Sequence, residues 1–282
     1  MNIEKILPKE GPSIEEVKKY IEKYSNEIIV IKCGGSVLLD KNLFNQFIED
    51  ISIVNKLGLS SIVIHGGGKN IKKKLDEQNI DSKFINGLRV TDEKTIKIVE
   101  EALLELNFEI LKNINNNQAN AQSVTPKEGN IIKIIPEKKE LGLVGIPKEI
   151  DKDFLLNIIK EKKVPVIIPM GVGNDKKIYN INADVAAGAV AKELNSRRLL
   201  LMTDVEGVLD KNKKLILEIN SEVAKKMLEE ETISGGMIPK INTCIDAVEN
   251  GVTGVVIVDG RKPHSILFEL FSDKGSGTLI RK

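Results

Sequence analysis

Apolar residues along this chain follow two alternating patterns. Short unbroken runs, such as Ile28-Ile29-Val30-Ile31 and Leu199-Leu200-Leu201-Met202, have the length and composition of strands buried on both faces. Between them lie longer stretches with apolar residues three and four apart, the spacing of helices with one buried face. Strands are predicted over 27–33, 61–65, 120–125, 131–135, 142–145, 164–169, 198–203 and 253–258. Helices are predicted over 41–58, 69–79, 92–115, 151–162, 183–194, 221–230, 239–250 and 263–271. Such alternation predicts an α/β fold, a three-layer α/β/α sandwich with a mostly parallel central sheet. Segment 118–145 interrupts it with short strands and the turn residues Pro126-Lys127-Glu128-Gly129-Asn130, which predicts an inserted β-hairpin near the mouth of a site. Ahead of the first strand, Ile14, Val17, Tyr20, Ile21 and Tyr24 share one face of a helix with Ser13 as its N-cap. This helix is free to pack on the body or on another subunit.

Composition narrows the function classes. At 282 residues the chain can form one large α/β domain or two lobes sharing a sheet. With 42 basic and 41 acidic residues, it has no bulk charge to attract nucleic acid or an anionic membrane. Tryptophan is absent and aromatics are few, which argues against a stacking platform for single-stranded nucleic acid. No apolar run reaches the roughly 18 residues of a membrane span. The segment from Met1 to Tyr24 is charged and lacks an apolar core, so no secretory signal is expected. Cys33 and Cys244 are the only cysteines and have no metal-type spacing; two reduced thiols in a cytoplasmic protein are expected.

The candidate chemistry begins at Lys32. It ends an apolar strand and is followed at once by Cys33-Gly34-Gly35-Ser36. A lysine in a buried strand needs a partner, and glycines let backbone N–H groups approach an anion. His65-Gly66-Gly67-Gly68 repeats the arrangement after Ser61-Ile62-Val63-Ile64 and opens a helix, whose N-terminus favours anions. His65 reads as a packed strand-end residue rather than a catalyst. Neither a dinucleotide fingerprint nor a P-loop is present. Arg89, in Asn86-Gly87-Leu88-Arg89-Val90-Thr91-Asp92, suits a carboxylate or a surface salt bridge. In Tyr179-Asn180-Ile181-Asn182-Ala183-Asp184, Asn182 suits an N-cap and Asp184 a first turn, whereas Asn180 has an amide free for a polar ligand. In Ser234-Gly235-Gly236-Met237-Ile238-Pro239-Lys240, Pro239 suits the first position of a helix. Lys240 then opposes the helix dipole by roughly 0.3–1 kcal/mol unless an anion binds there. Thr203-Asp204-Val205-Glu206-Gly207-Val208 follows a buried strand, where a nucleotide contact is expected.

Six segments, taken together and in order, resemble the acetylglutamate kinase branch of the amino acid kinase family. They are Lys32-Cys33-Gly34-Gly35, His65-Gly66-Gly67-Gly68, Asn86-Gly87-Leu88-Arg89-Val90-Thr91, Asn180-Ile181-Asn182-Ala183-Asp184, Thr203-Asp204-Val205-Glu206-Gly207-Val208 and Gly235-Gly236-Met237-Ile238-Pro239-Lys240. The likeness extends over nearly all of the chain from about residue 26. It implies the amino acid kinase fold and ATP-dependent phosphorylation of the side-chain carboxylate of N-acetyl-L-glutamate, the second step of arginine biosynthesis. Mg²⁺ would travel with ATP, and no protein metal ligand is implied. By this resemblance Lys32 and Lys240 stabilise the transferring phosphoryl group and Asp184 orients them. Gly67, Gly68, Arg89, Asn180 and Asn182 hold the substrate. Gly34, Gly35, Gly66, Thr203, Asp204 and Val205 meet phosphoryl oxygens or nucleotide. Residues 1–25 form an oligomerisation helix, 26–195 a substrate and phosphoryl lobe, and 196–282 a nucleotide lobe. The ends of the chain resemble arginine-inhibited members, which implies a homo-oligomer (dimer or hexamer) and an L-arginine site near Glu269 and Gly275.

Some positions depart from the family pattern. Lys69 replaces the usual proline, Glu100 to Glu109 lacks a glycine-lysine pair before Asn107, and Ser123 to Gly129 replaces a more glycine-rich turn. The last two regions enclose the substrate, so an N-blocked 2-aminoadipate, one methylene longer, is a rival substrate; one methylene discriminates by only about 1–3 kcal/mol. A non-catalytic sensor of the same fold is the rival of a different class, and the presence of Lys32, Lys240 and Asp184 argues against it.

Overall fold

A computed structural model describes residues 3–128 and 130–282; Met1 and Asn2 of the N-terminal segment, and Gly129 of the expected turn, lie outside the described residues. In chain order the elements are α1 (Ile14–Tyr24), β1 (Ile28–Cys33), α2 (Lys41–Lys56), β2 (Ser60–His65), α3 (Gly68–Glu77), β3 (Phe84–Ile85), β4 (Leu88–Arg89) and α4 (Thr95–Asn116). There follow β5 (Ala121–Val124), β6 (Ile132–Pro136), β7 (Gly145–Ile150), α5 (Lys152–Lys160), β8 (Val164–Ile167), β9 (Met170–Val172), β10 (Ile178–Asn180) and α6 (Ala183–Glu193). The chain closes with β11 (Arg198–Thr203), β12 (Glu218–Asn220), α7 (Ser221–Glu229), α8 (Met237–Glu249), β13 (Val255–Asp259), α9 (Ser265–Phe271) and β14 (Gly277–Arg281).

One eight-stranded sheet, in the order β12-β14-β13-β11-β1-β2-β8-β5, forms the middle layer. Six of its strands run parallel, and the β13–β14 pair is antiparallel. The unbroken apolar runs arise because alternate residues feed two cores. Val30, Ile62, Ile64, Leu199, Leu201 and Ile257 face a cluster with α5, α6 and α8. Ile29, Ile31, Val63, Leu200, Met202 and Val258 face a cluster with α1, α2, α4 and α9. The expected three-layer sandwich is therefore present.

The ladder register brings several strand ends to one edge. Cys33 lies beside His65, and Thr203 beside Asp259. The glycine turns after β1 and β2 leave from this edge, outside the carboxyl ends of parallel strands, where open α/β sheets bind ligands. Helix α6 starts against them: a Cβ on Gly66 would be 3.9 Å from Ala183 Cβ.

Helix α1 begins with a full capping box: Glu16 N–H donates to Ser13 Oγ at 3.3 Å, and Ser13 N–H to Glu16 Oε2 at 3.1 Å. It packs on the body against α9, with Val17 and Tyr24 buried in the second core. Burying Val17 contributes about 1.5–3 kcal/mol. The Lys19–Asp273 pair is exposed and screened by solvent, so apolar packing is what docks the helix.

Four sequence expectations need correction. The segment 118–145 is not one hairpin: β5 is an edge strand of the main sheet, whereas β6 and β7 pair in a second, four-stranded sheet, β10-β9-β6-β7. The strand expected at 142–145 lies instead at Gly145–Ile150, because Gly142 adopts φ 69° and turns the chain first. Helix α8 starts at Met237, which puts Pro239 third in the helix; its missing N–H is still harmless in the first turn. The strands β3, β4, β9, β10, β12 and β14 were not expected; all have at most five residues and no long apolar run.

A buried ion pair ties α9 to α2. His264 precedes α9 with φ 50°, and its Nδ1 lies 2.7 Å from Asp50 Oδ1. The hydrogen bond to Asp50 raises the His264 pKa above 6.5, and burial pushes Asp50 up to about 6. Both values exceed those of the unfolded chain, so each group favours the folded state when protonated. Its contribution fades as pH rises from 3.8 to about 6 for Asp50, and from 6.5 upward for His264. Urea unfolding between pH 4 and 8 should show stability falling with pH in the parent relative to the D50N/H264N variant. Parallel profiles would contradict this assignment.

Candidate active site

Lys32 is the penultimate residue of β1, and Asp184 stands in the first turn of α6, where Asn182 caps the helix by accepting from the Asp184 and Val185 N–H groups at 2.9 and 3.2 Å. Lys240 comes from the first turn of α8. These distant segments converge. Lys240 Nζ donates to Asp184 Oδ2 at 2.6 Å, and Lys32 Nζ is 3.0 Å from Asp184 Oδ1. The Lys32 contact is an ion pair without hydrogen-bond alignment. Burial opposes the Asp184 charge, but the two ammonium groups overcome it and hold its pKa at about 2.

The turn after Lys32 is glycine for steric reasons. A Cβ on Gly34 would lie 2.9 Å from Lys32 Nζ. Gly35 has φ +64°, and a Cβ there would lie 2.7 Å from Asp204 Oδ1. Asp204 accepts from the Ser36 N–H at 3.1 Å and the Ser36 hydroxyl at 2.6 Å, which stitches the β11 end to this turn. Against the cost of partial burial, these bonds hold Asp204 below its usual range.

Lys32 and Asp184 line a cavity of about 220 Å³ together with Gly34, Gly35, Gly66, Gly67, Gly68, Arg89, Asn180 and Asn182. Among the described residues, neither the Gly67 nor the Gly68 N–H has an acceptor. The 10-residue helix α3 starts there, so these amides sit at its positive end. Arg89 is buried, donates to Ser82 Oγ at 2.5 Å and to Gly68 O at 3.0 Å, and stacks 4.8 Å from the Phe84 ring. Burial lowers its pKa. Among the described residues it has no carboxylate in ion-pair range, so the surface salt-bridge alternative fails. Asn180 ends β10, with its Nδ2 3.5 Å from Thr91 Oγ1.

Lys240 reaches the cavity through Asp184 rather than as a lining residue. Thr203, Asp204 and Val205 lie outside the cavity, at the adjoining end of β11. His65 is fully buried, as expected of a packed strand-end residue. Among the described residues no group of three or more His, Cys, Asp or Glu could hold a metal ion; lysines, an arginine and bare amides suit anions instead.

Sequence inspection missed the apolar wall formed by Ile71, Leu103 and Val144. It also missed the β3–β4 hairpin, whose Phe84, Gly87 and Leu88 line the cavity. Asn86-Gly87, both at positive φ, is a strong two-residue hairpin signal that could have revealed it.

A sequence profile of the amino acid kinase family matches residues 27–259. The chain belongs to the amino acid kinase family. It is 59% identical to the acetylglutamate kinase of Pelagibacter ubique, over 98% of this chain and 96% of that one. It is 43% identical to the acetylglutamate kinase of Methylobacterium nodulans, over 93% and 91%. Among solved structures, the N-acetylglutamate synthase of Neisseria gonorrhoeae, complexed with coenzyme A and N-acetyl-glutamate, superposes with a TM-score of 0.86 at 22% identity. That match covers 96% of this chain but 64% of the longer synthase, and shows a shared fold. In this amino acid kinase, the cavity at the strand ends lies within the matched region.

Replacing Gly35 by Ala forces a left-handed side chain against Asp204, at a cost of about 1–2 kcal/mol or more. Urea unfolding should show this loss. An unchanged midpoint would contradict the geometry.

Proposed function

We propose that this chain transfers the γ-phosphoryl group of ATP to the side-chain carboxylate of N-acetyl-L-glutamate. A carboxylate oxygen bonds to phosphorus, the bond to the bridging oxygen breaks, and N-acetyl-L-glutamyl 5-phosphate and ADP result. Mg²⁺ enters with ATP as part of that substrate. The observation that carries this reading is the pairing of Lys32 and Lys240 on the single carboxylate of Asp184, beside a cavity that also holds Arg89, which has no carboxylate partner among the described residues.

The chemistry matches these parts. The nucleophile is a glutamate-type carboxylate, which loses its proton in water at about pH 4.3 and is ionised at neutral pH, so no general base is needed. Two anions must meet, and catalysis rests on alignment and charge neutralisation. Lys32 and Lys240 neutralise the phosphoryl oxygens, and Asp184 keeps both ammonium groups aimed at one point. Gly34, Gly35 and the amides of Gly67 and Gly68 receive substrate and phosphoryl oxygens, whereas the Gly66 N–H is already given to Cys33 O at 2.7 Å and Gly66 serves by close approach alone. Arg89 grips the α-carboxylate, and Asn180 and Asn182 border the acylated amine. Thr203, Asp204 and Val205 adjoin the nucleotide. The relatives named acetylglutamate kinase support this substrate over its longer homologue. We place the reaction in the cytoplasm, as the second step of arginine biosynthesis, with 26–195 as the substrate lobe and 196–282 as the nucleotide lobe.

Hydroxamate formation from N-acetyl-L-glutamate and ATP should far exceed that from N-acetyl-2-aminoadipate or unblocked glutamate. Lys32→Met and Lys240→Met should each lower kcat by about 10²–10³-fold, the cost of losing one such donor, with the fold left intact by circular dichroism. Parental turnover in both variants would refute the mechanism.

We also propose feedback inhibition by L-arginine in a homo-oligomer organised by residues 1–25. A second cavity, of about 340 Å³, lies between α1 and the C-terminal segment and is lined by Tyr20, Lys23, Arg198, Glu269 and Gly275. Glu269 accepts from the Ser276 N–H at 2.8 Å, and burial raises its pKa. Its carboxylate suits a guanidinium. Millimolar arginine should inhibit the parent, and Glu269→Gln should blunt that inhibition while preserving basal turnover. A parent insensitive to arginine would reject this regulation.

A further inference from the structure

We propose that His65 is a positioning residue that sets the direction of the Gly67 N–H; this rests on the kinase function above, in which that amide receives a substrate oxygen. His65 ends β2 and is fully buried. Its Nδ1 lies 2.9 Å from Gly66 O. A carbonyl only accepts, so Nδ1 carries the proton. The acceptor Nε2 then receives the Asn107 Nδ2–H at 3.2 Å. Asn107, on α4 and equally buried, gives its other proton to Val166 O at 3.0 Å and accepts from the Ser123 hydroxyl at 2.8 Å. The chain of bonds thus runs from edge strand β5 through α4 to the glycine turn, and every donor and acceptor of Asn107 and of the imidazole is matched. Burial lowers the His65 pKa to about 4, which keeps the ring neutral.

The consequence lies in the Gly66–Gly67 peptide. No peptide bond among the described residues is cis, so this carbonyl and the following N–H point in opposite directions. Holding Gly66 O toward the imidazole turns the Gly67 N–H away from it, and Gly67 lines the cavity. The flanking peptides are held, Gly66 N–H by Cys33 O at 2.7 Å and Gly67 O by the Ile71 N–H at 2.8 Å, but glycines on both sides leave the plane between them free to turn. Neither has a side chain to fix it, so the tether from His65 supplies the missing restraint.

Two substitutions separate this role from packing. In His65→Asn the side-chain amide N–H falls near the position of Nδ1 and keeps the donor to Gly66 O. In His65→Gln the amide falls near Nε2, keeps a partner for Asn107 and loses the tether. Both disturb the buried network and should lower the unfolding midpoint. Only His65→Gln should lose kcat by about tenfold to a hundredfold, the scale set by small misplacements in a site, while His65→Asn stays within about threefold of the parent. Equal losses in both, or parental kcat in His65→Gln, would overturn the proposal. The parent itself gives a second readout. The chain has only two histidines, so ¹⁵N NMR can assign them. It should find His65 protonated at Nδ1 from pH 5.5 to 8. A ring protonated at Nε2, or titrating near neutrality, would overturn the tether. If the parent failed to phosphorylate N-acetyl-L-glutamate, the proposed function would fall, while the tautomer would still decide the tether.

Discussion

Two lysine side chains close to one another repel, and each resists leaving water. Lys32 and Lys240 are nonetheless held at one place by the two oxygens of Asp184, at 3.0 and 2.6 Å. Without that carboxylate, neither the buried end of β1 nor the first turn of α8 would accept an ammonium group cheaply. With it, the three side chains carry a net positive charge at the cavity. In the proposed reaction this is the charge that the transferring phosphoryl group would meet. The contact joins β1, α6 and α8, which also pack together in the first core.

The surrounding structure reads as a means of keeping that contact and its neighbours in place. The main sheet is buried on both faces, and its ladder fixes the strand ends beside one another. Asn182 fixes the start of α6 and hence the reach of Asp184. Asp204 joins β11 to the turn after Lys32, and His65 joins the β2 turn to α4 and β5. Phosphate-binding turns are built from glycine because backbone must come close to the ligand, and glycine brings no stiffness of its own. In this chain the stiffness is borrowed from polar side chains anchored in neighbouring elements.

Much of this was visible before the fold was known. The central strands were legible because burial on both faces leaves an unbroken apolar run, as at Leu199 to Met202. Lys32 stood out because a strand-ending lysine beside two glycines has few inexpensive explanations. The convergence of Lys240 on Asp184 was not derivable from spacing, since 56 residues separate them; it entered through likeness to a family. The β6–β7 sheet was blurred because its residues are only partly buried and Gly142 moves the turn. His65 was correctly read as packed, yet its bonds to Asn107 and Ser123 join residues far apart in sequence, and no local pattern signals them. The apolar cavity wall was hidden for the same reason: Leu103 looks like any other core residue of an amphipathic helix.

The central claim is that one carboxylate serves both lysines, and the most direct test is the titration of Asp184 by ¹³C NMR. In the parent its pKa should lie near 2, and it should climb on replacing Lys32 by Met, and again on replacing Lys240. A carboxylate that titrates in the usual range in the parent, or whose titration ignores the loss of either lysine, would contradict the account.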